Sequence, residues 1–293
     1  MKGLLEFVMR TRLAAIGVVA LGALMPLLFW VSAGVIALIT LRRGLRESIL
    51  ILAGAVAILL PVYAGLLGAP MALLQPIALT WLPVMVLAHL LRVSVSLGRT
   101  LEWAGGIAAL AVGLFYLVQG DPALFWRDLL GQLAQLLGSD GPQSAWNQAA
   151  AELAPRLTGL WIANMLGITV ICLLLGRWWQ AVLYNPGGFR EEFHALRLSR
   201  VFATITLGVV LAGLVMGPGL LADVGTVMVS VFLLQALALA HHLVARRGWH
   251  VGWLIALYFM LPLAIRPVAL IGLADAFVDF RNRTGFGDGS HSA

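Results

Sequence analysis

Between residues 13 and 280 the chain returns again and again to apolar runs of roughly 18 residues or more. That recurrence constrains the fold more than any motif does. An α-helix rises about 1.5 Å per residue, so such runs match the roughly 30 Å hydrocarbon core of a bilayer. Strands of a membrane barrel would alternate polar and apolar residues, and these runs do not. The predicted class is all-α: a polytopic transmembrane bundle of about 8 to 10 hydrophobic helices. Composition agrees, since 61% of the 293 residues are apolar and 11% charged, against about a quarter charged in a soluble domain. The net charge of +6 then reflects basic residues at a membrane surface and not a nucleic-acid partner.

Six stretches read as single spans: 49–67, 71–91, 103–118, 157–183, 201–216 and 222–244. The terminal stretches 13–41 and 251–280 are each about 30 residues, or about 45 Å as one helix. Pro26 interrupts the first, Pro262 and Pro267 the second, so each is predicted to be a hairpin of two short helices. Charge supports this. With hairpins at both ends, Lys2, Arg10, Arg12, Arg42, Arg43, Arg46, Arg92, Arg99, Arg190, Arg197, Arg200, Arg246, Arg247, Arg281 and Arg283 fall on one side. Only Arg127 and Arg156 fall on the other, and Arg177 and Arg266 lie within apolar runs. This positive-inside pattern predicts a multi-pass protein of the bacterial cytoplasmic (inner) membrane with both termini in the cytoplasm. The opening MKGLLEFVMRTRLAAIGVVALGALM lacks a convincing small-x-small cleavage site before more apolar sequence and reads as a retained helix.

Residues 119–156 form the one long loop, expected on the outer side. Asp121-Pro122 gives a helix start, and Phe125, Leu129, Leu133, Leu136 and Leu137 recur at helical spacing. That predicts an amphipathic helix on the outer leaflet, either a connector or a lid over an outward-facing cavity. Residues 284–293 read as a disordered tail, which leaves 1–283 as a single integral membrane domain.

Enzyme signatures are missing: there is no G-x-x-x-x-G-K-[ST], H-E-x-x-H, C-x-x-C or G-x-S-x-G. The one cysteine, Cys172, lies in an apolar run, so no internal disulfide is possible. Glu191-x-x-His194 is a single copy of a spacing that di-iron sites use twice. No catalytic residue, metal or cofactor is predicted. Ionisable groups in hydrocarbon are costly and are the default functional candidates. Arg266, set between Pro262 and Pro267, can bind an anionic group, pair with Asp223 or Asp275, or snorkel to the interface. Asp275, Asn164 and Gln75 complete the predicted ligand set, Asp275 as a proton or cation site. Asp279 and Arg283, four apart, read as a pair at the membrane edge. His89, Gln180, Gln235 and His241 are further buried polar candidates, although His241-His242 also reads as a solvated interfacial pair. Pro61, Pro76 and Pro83 read as kinks that free backbone carbonyls.

The most polar run is LYNPGGFREEFHALRLSR, residues 183–200. After the Asn185-Pro186-Gly187-Gly188 turn, Phe189, Phe193 and Leu196 share one helical face, and Arg190, His194 and Arg197 the next. This predicts an amphipathic helix on the cytoplasmic surface, rings in the acyl boundary and arginines toward anionic headgroups. Trp178, Trp179 and Tyr184 mark the interface before it. The segment is also the expected docking site for a cytoplasmic or membrane protein partner.

Gly176-Arg177-Trp178-Trp179-Gln180-Ala181, followed by Leu183-Tyr184-Asn185-Pro186-Gly187-Gly188-Phe189-Arg190-Glu191-Glu192-Phe193, resembles the YybS-like family of bacterial integral membrane proteins. The closing GLADAFVDFRNR, 272–283, is similar to that family's ending. At one remove the family is similar to the substrate-capture subunits of energy-coupling-factor vitamin transporters and to the MreD rod-shape proteins. The first similarity implies substrate capture within the bundle, with ATPase subunits and a coupling membrane protein as partners. The second implies a scaffold without substrate. The expected function is therefore non-enzymatic, transporter-type binding of a small molecule or lipid within the bundle. The alternative is an envelope-biogenesis assembly factor that docks a partner through 185–200.

Overall fold

The computed structural model describes residues 2–25, 28–66, 68–136 and 145–283. Among them every regular element is helical. Pro26, Leu137 and the tail 284–293, on which three expectations rest, lie outside the described residues. In chain order the helices are α1 (Lys2–Arg10), α2 (Arg12–Leu24), α3 (Phe29–Arg43), α4 (Leu45–Gly65), α5 (Pro70–Ser94), α6 (Leu97–Gln119), α7 (Pro122–Leu136), α8 (Ala145–Tyr184), α9 (Gly188–His194), α10 (Arg200–Met216), α11 (Leu220–Arg247) and α12 (Gly252–Val278). One more turn of helix, Phe280–Arg283, ends the described chain.

By length and composition α4, α5, α6, α11, α12 and Gln148–Tyr184 of α8 can each cross a bilayer. The bent pair α1 and α2, at 120° to each other, makes a seventh if it counts as one span. Leucines such as Leu110, Leu117 and Leu263 stay largely exposed, which is unfavourable in water and ordinary against lipid. The architecture is that of a multi-pass membrane protein.

The chain forms two compact units, 1–100 with 167–195, and 101–166 with 196 onward. In the first, α2 and α3 form the expected N-terminal hairpin: the Ser32 hydroxyl donates to the Val19 carbonyl at 3.0 Å. Gly22 packs on the same turn, and a Cβ there would lie 3.1 Å from the Leu28 carbonyl. Buried α3 also meets the second half of α8 through small residues. A Cβ on Gly176 would stand 2.5 Å from the Ala37 Cβ and 2.8 Å from the Gly34 carbonyl oxygen, the close approach that small-residue spacing permits. In α5, Pro70 opens a 3₁₀ turn and Ile77–Trp81 is π-helical between Pro76 and Pro83, whose missing N–H groups break the regular ladder. Basic residues gather at one end of this unit. Arg92 donates to the Thr40 and Leu41 carbonyls at 3.4 and 3.0 Å, Arg43 donates to the Met9 carbonyl, and Arg12 Nε to Glu47 at 2.9 Å.

In the second unit the C-terminal stretch doubles back. Gly252 follows closely on Arg247, so α12 starts at the C-terminal end of α11. Yet Arg246 Nη1 donates to the carbonyl of Arg281 at 3.0 Å, whereas a straight helix from 252 to 281 would place its end about 44 Å away. The outgoing arm sets Tyr258 edge-on to His241, with ring centroids 5.8 Å apart. The returning arm runs parallel to α11. A Cβ on Gly272 would stand 2.0 Å from the Phe232 carbonyl oxygen, and Gln235 Nε2 donates to Asp275 Oδ2 at 2.9 Å. The reversal falls at Ala264, whose φ of −118° and ψ of 17° leave the helical region. Pro262 and Pro267 on either side remove two donors from the ladder. Each arm is about 18 to 21 Å long, short of a full crossing.

Two local expectations shift, at the start of α8 and the end of α9, and tertiary contacts set which side of α7 packs. Helix α8 begins at Ala145, twelve residues before the predicted 157, because Ala145–Ala154 is rich in alanine and other good helix formers. On α7 the side buried is Pro122, Trp126 and Ala134, while Leu129, Leu133 and Leu136 of the predicted stripe remain exposed. The helix after the Asn-Pro-Gly-Gly turn stops at His194, so Leu196 and Arg197 do not continue its faces. Leu198 N–H donates to Gln235 Oε1 at 2.9 Å, and Ser199 caps α10 by accepting from Phe202 N–H, which holds this stretch out of a helix.

Candidate functional site

Of the four residues expected to hold a ligand, Gln75 belongs to the first unit and Asn164, Arg266 and Asp275 to the second. Gln75 and Asn164 are exposed, one in each unit. Arg266 is exposed at the hairpin turn, and no hydrogen bond or ion pair joins it to another described residue. Neither expected partner, Asp223 or Asp275, meets it.

Asp275 is buried and spent on internal bonds. Its Oδ2 accepts from Gln235 Nε2 at 2.9 Å, its Oδ1 from the backbone N–H of Phe280 at 3.1 Å. Gln235, also buried, passes the chain on to Leu198 N–H. Beside it Arg281 is buried and donates through Nη2 to the Leu196 carbonyl at 2.7 Å. Burial pulls its guanidinium below the ordinary arginine value, and the Asp275 carboxylate draws it back up. Arg197 completes the cluster with an ion pair to Asp279 at 2.9 Å. Asp279 thus bonds to Arg197, and the Arg283 side chain expected to pair with it lies outside the described residues. The cluster ties the 196–199 strap, α11 and the returning arm of α12 together, which makes it a structural clasp.

The predicted docking segment builds a real concavity in the first unit. Trp178, Ala181 and Val182 of α8, Pro186 and Gly187 of the turn, and Phe189 and Arg190 of α9 line a groove of about 270 Å³. Gly187 adopts φ 92°, a left-handed turn suited to glycine, and this folds α9 back beside the end of α8. The Phe189 and Phe193 rings stack at 6.0 Å. Arg190 is exposed at the groove, while Asn185, Pro186 and Gly187 present the turn outward. Arg42 lies over the Tyr184 ring at 4.1 Å, outside the residues that line the groove. Arg177, by contrast, is used internally, paired with Glu192 at 2.8 Å; His194 is half-buried. Apolar walls with one guanidinium on the rim suit an amphiphile with an anionic head.

One constellation escaped the sequence. Asp223, 2% exposed in the first turn of α11, accepts from the Tyr116 hydroxyl at 2.8 Å and from the Gly159 backbone N–H. A Cβ on Gly159 would stand 2.7 Å from Asp223 Oδ1, so glycine makes the room for the carboxylate. Next to it Trp126 of α7 donates to the Thr158 hydroxyl at 2.8 Å and packs among Phe115, Phe125 and Trp161. The available signal was an aspartate just inside an apolar span, facing a tyrosine from another. No protein-family model, curated protein or solved structure matches the chain.

Proposed function

We propose that this is a non-enzymatic membrane protein of transporter type that binds one amphiphile, a lipid or lipid-like small molecule with an anionic head. The observation that carries this reading is the groove at the 185–190 elbow, with Trp178, Val182 and Phe189 as apolar wall and Arg190 as cation. Its volume of about 270 Å³ suits a headgroup and the first methylenes, the tails continuing into the bilayer. The reading keeps a bundle of about 8 to 10 hydrophobic helices, with the arms of α12 counted separately, and the likeness to the YybS-like family and energy-coupling-factor capture subunits. It assigns the protein to the bacterial cytoplasmic membrane with the elbow and both termini in the cytoplasm. The gathering of arginines at one end of each unit supports that orientation.

The exposed turn at Asn185, Pro186 and Gly187 favours a second reading, an assembly factor that docks a protein partner there. Native mass spectrometry of gently solubilised protein separates the two. Amphiphile binding predicts a retained lipid-sized mass, weakened about tenfold by Arg190→Gln, the loss of one charged hydrogen bond. A retained protein subunit with no lipid-sized mass supports docking and overturns the amphiphile.

A further inference from the structure

Among the described residues of the second unit, Asp223 is the most enclosed carboxylate, 2% exposed, and no cation meets it. Its oxygens face two neutral donors, the Tyr116 hydroxyl of α6 and the Gly159 N–H of α8. Asp121, at the start of the adjoining α7, acts on Tyr116. On α8, Glu152 and Arg156 are exposed. Val224 and Val227 lie beside Asp223 in an apolar cluster with Ala108, Val112 and Ile162. A lone carboxylate in such surroundings is costly as an ion and cheap as an acid. A hydroxyl is both donor and acceptor, so Tyr116 can donate to the carboxylate or accept from the carboxylic acid without moving. Both protonation states keep their hydrogen bond, which a salt-bridged aspartate could not offer.

The site also has a cover. Trp126 of α7 is fixed through Thr158, the residue next to Gly159, and stands on Phe115, the neighbour of Tyr116. The rest of α7 keeps Leu129, Leu133 and Leu136 exposed, so one tryptophan joins an amphipathic surface helix to the cluster.

We propose that Asp223 is a reversible proton-binding site of this protein, with Tyr116 as its hydrogen-bond partner in both states and α7 as the cover that admits water. The site lies in the second unit and does not depend on the elbow groove, so either reading can fail alone. The proton passes between water and the carboxyl group, and no other bond is made or broken.

The experiment is infrared spectroscopy of the full-length protein in bilayers, titrated in pH. The expected result is a protonated-carboxyl band that disappears as the pH rises. Asp223→Asn should lack that band, and Tyr116→Phe should shift its frequency because the hydroxyl partner is gone. Trp126→Ala should speed hydrogen–deuterium exchange at this carboxyl on the order of tenfold. No such band at any pH, a band that never titrates, or a band surviving in Asp223→Asn each overturns the proposal. If Asp223→Asn fails to fold, Tyr116→Phe decides: an unshifted band overturns it.

Discussion

The guanidinium of Arg246 and the carbonyl of Arg281, 3.0 Å apart, bring the end of the last apolar stretch back to the place where it began. Residues 248 and 282 must therefore lie on one face of the membrane. Single cysteines at these positions, in a Cys172→Ser background, should react with a membrane-impermeant maleimide from the same side. Reaction from opposite sides would mean that α12 crosses once.

The returning arm depends on the contact between Gly272 and the Phe232 carbonyl. A Cβ would stand 2.0 Å from that oxygen, so Gly272→Val must push the arm off α11. The expected loss is about 1–3 kcal/mol, read as a lower unfolding temperature in detergent. Gly106→Val, where a Cβ meets nothing within 4 Å, is the control and should cost far less.

Gln235 and Asp275 form one buried polar unit. Gln235→Leu leaves Leu198 N–H and Asp275 Oδ2 without their partners, and Asp275→Leu leaves Gln235 Nε2 and Phe280 N–H. Each should cost about 1–3 kcal/mol. The double variant should cost less than the sum, because the bond lost is shared. Strict additivity in denaturant titrations would mean that the two side chains act separately.

Arg266 makes the opposite case. It is exposed and touches none of the carboxylates once expected to pair with it, so Arg266→Leu should leave the unfolding temperature where it is. A fall as large as that of Asp275→Leu would reveal a partner that this fold does not contain.

Much of the fold was legible because its determinants are local. Pro262 and Pro267 flank the reversal, and the placing of Arg246, Arg247 and Arg281 on one side anticipated which end the arm returns to. The elbow was legible in its turn residues, since Asn185-Pro186-Gly187-Gly188 dictates a bend wherever it sits. What escaped depends on distant pairings. Gln235 and Asp275 are 40 residues apart, Tyr116 and Asp223 are 107 apart, and neither periodicity nor composition says which buried groups will meet. The packed face of α7 escaped for a related reason. Spacing showed its leucines, but Trp126 found a hydroxyl and two aromatic rings on other helices. The end of α9 was overridden by the bond from Leu198 to Gln235, again a long-range partner.

The reversal at Ala264 decides more than packing. Straightened, the same 27 residues would be long enough to cross the bilayer and would deliver Arg281 and Arg283 to the far compartment. One kink therefore selects between two opposite addresses for the chain's C-terminal segment. During biosynthesis that choice can be secured only once α11 is in place to receive Gly272. Helix α12 is in this sense an apprentice to its predecessor: its orientation is learned by contact.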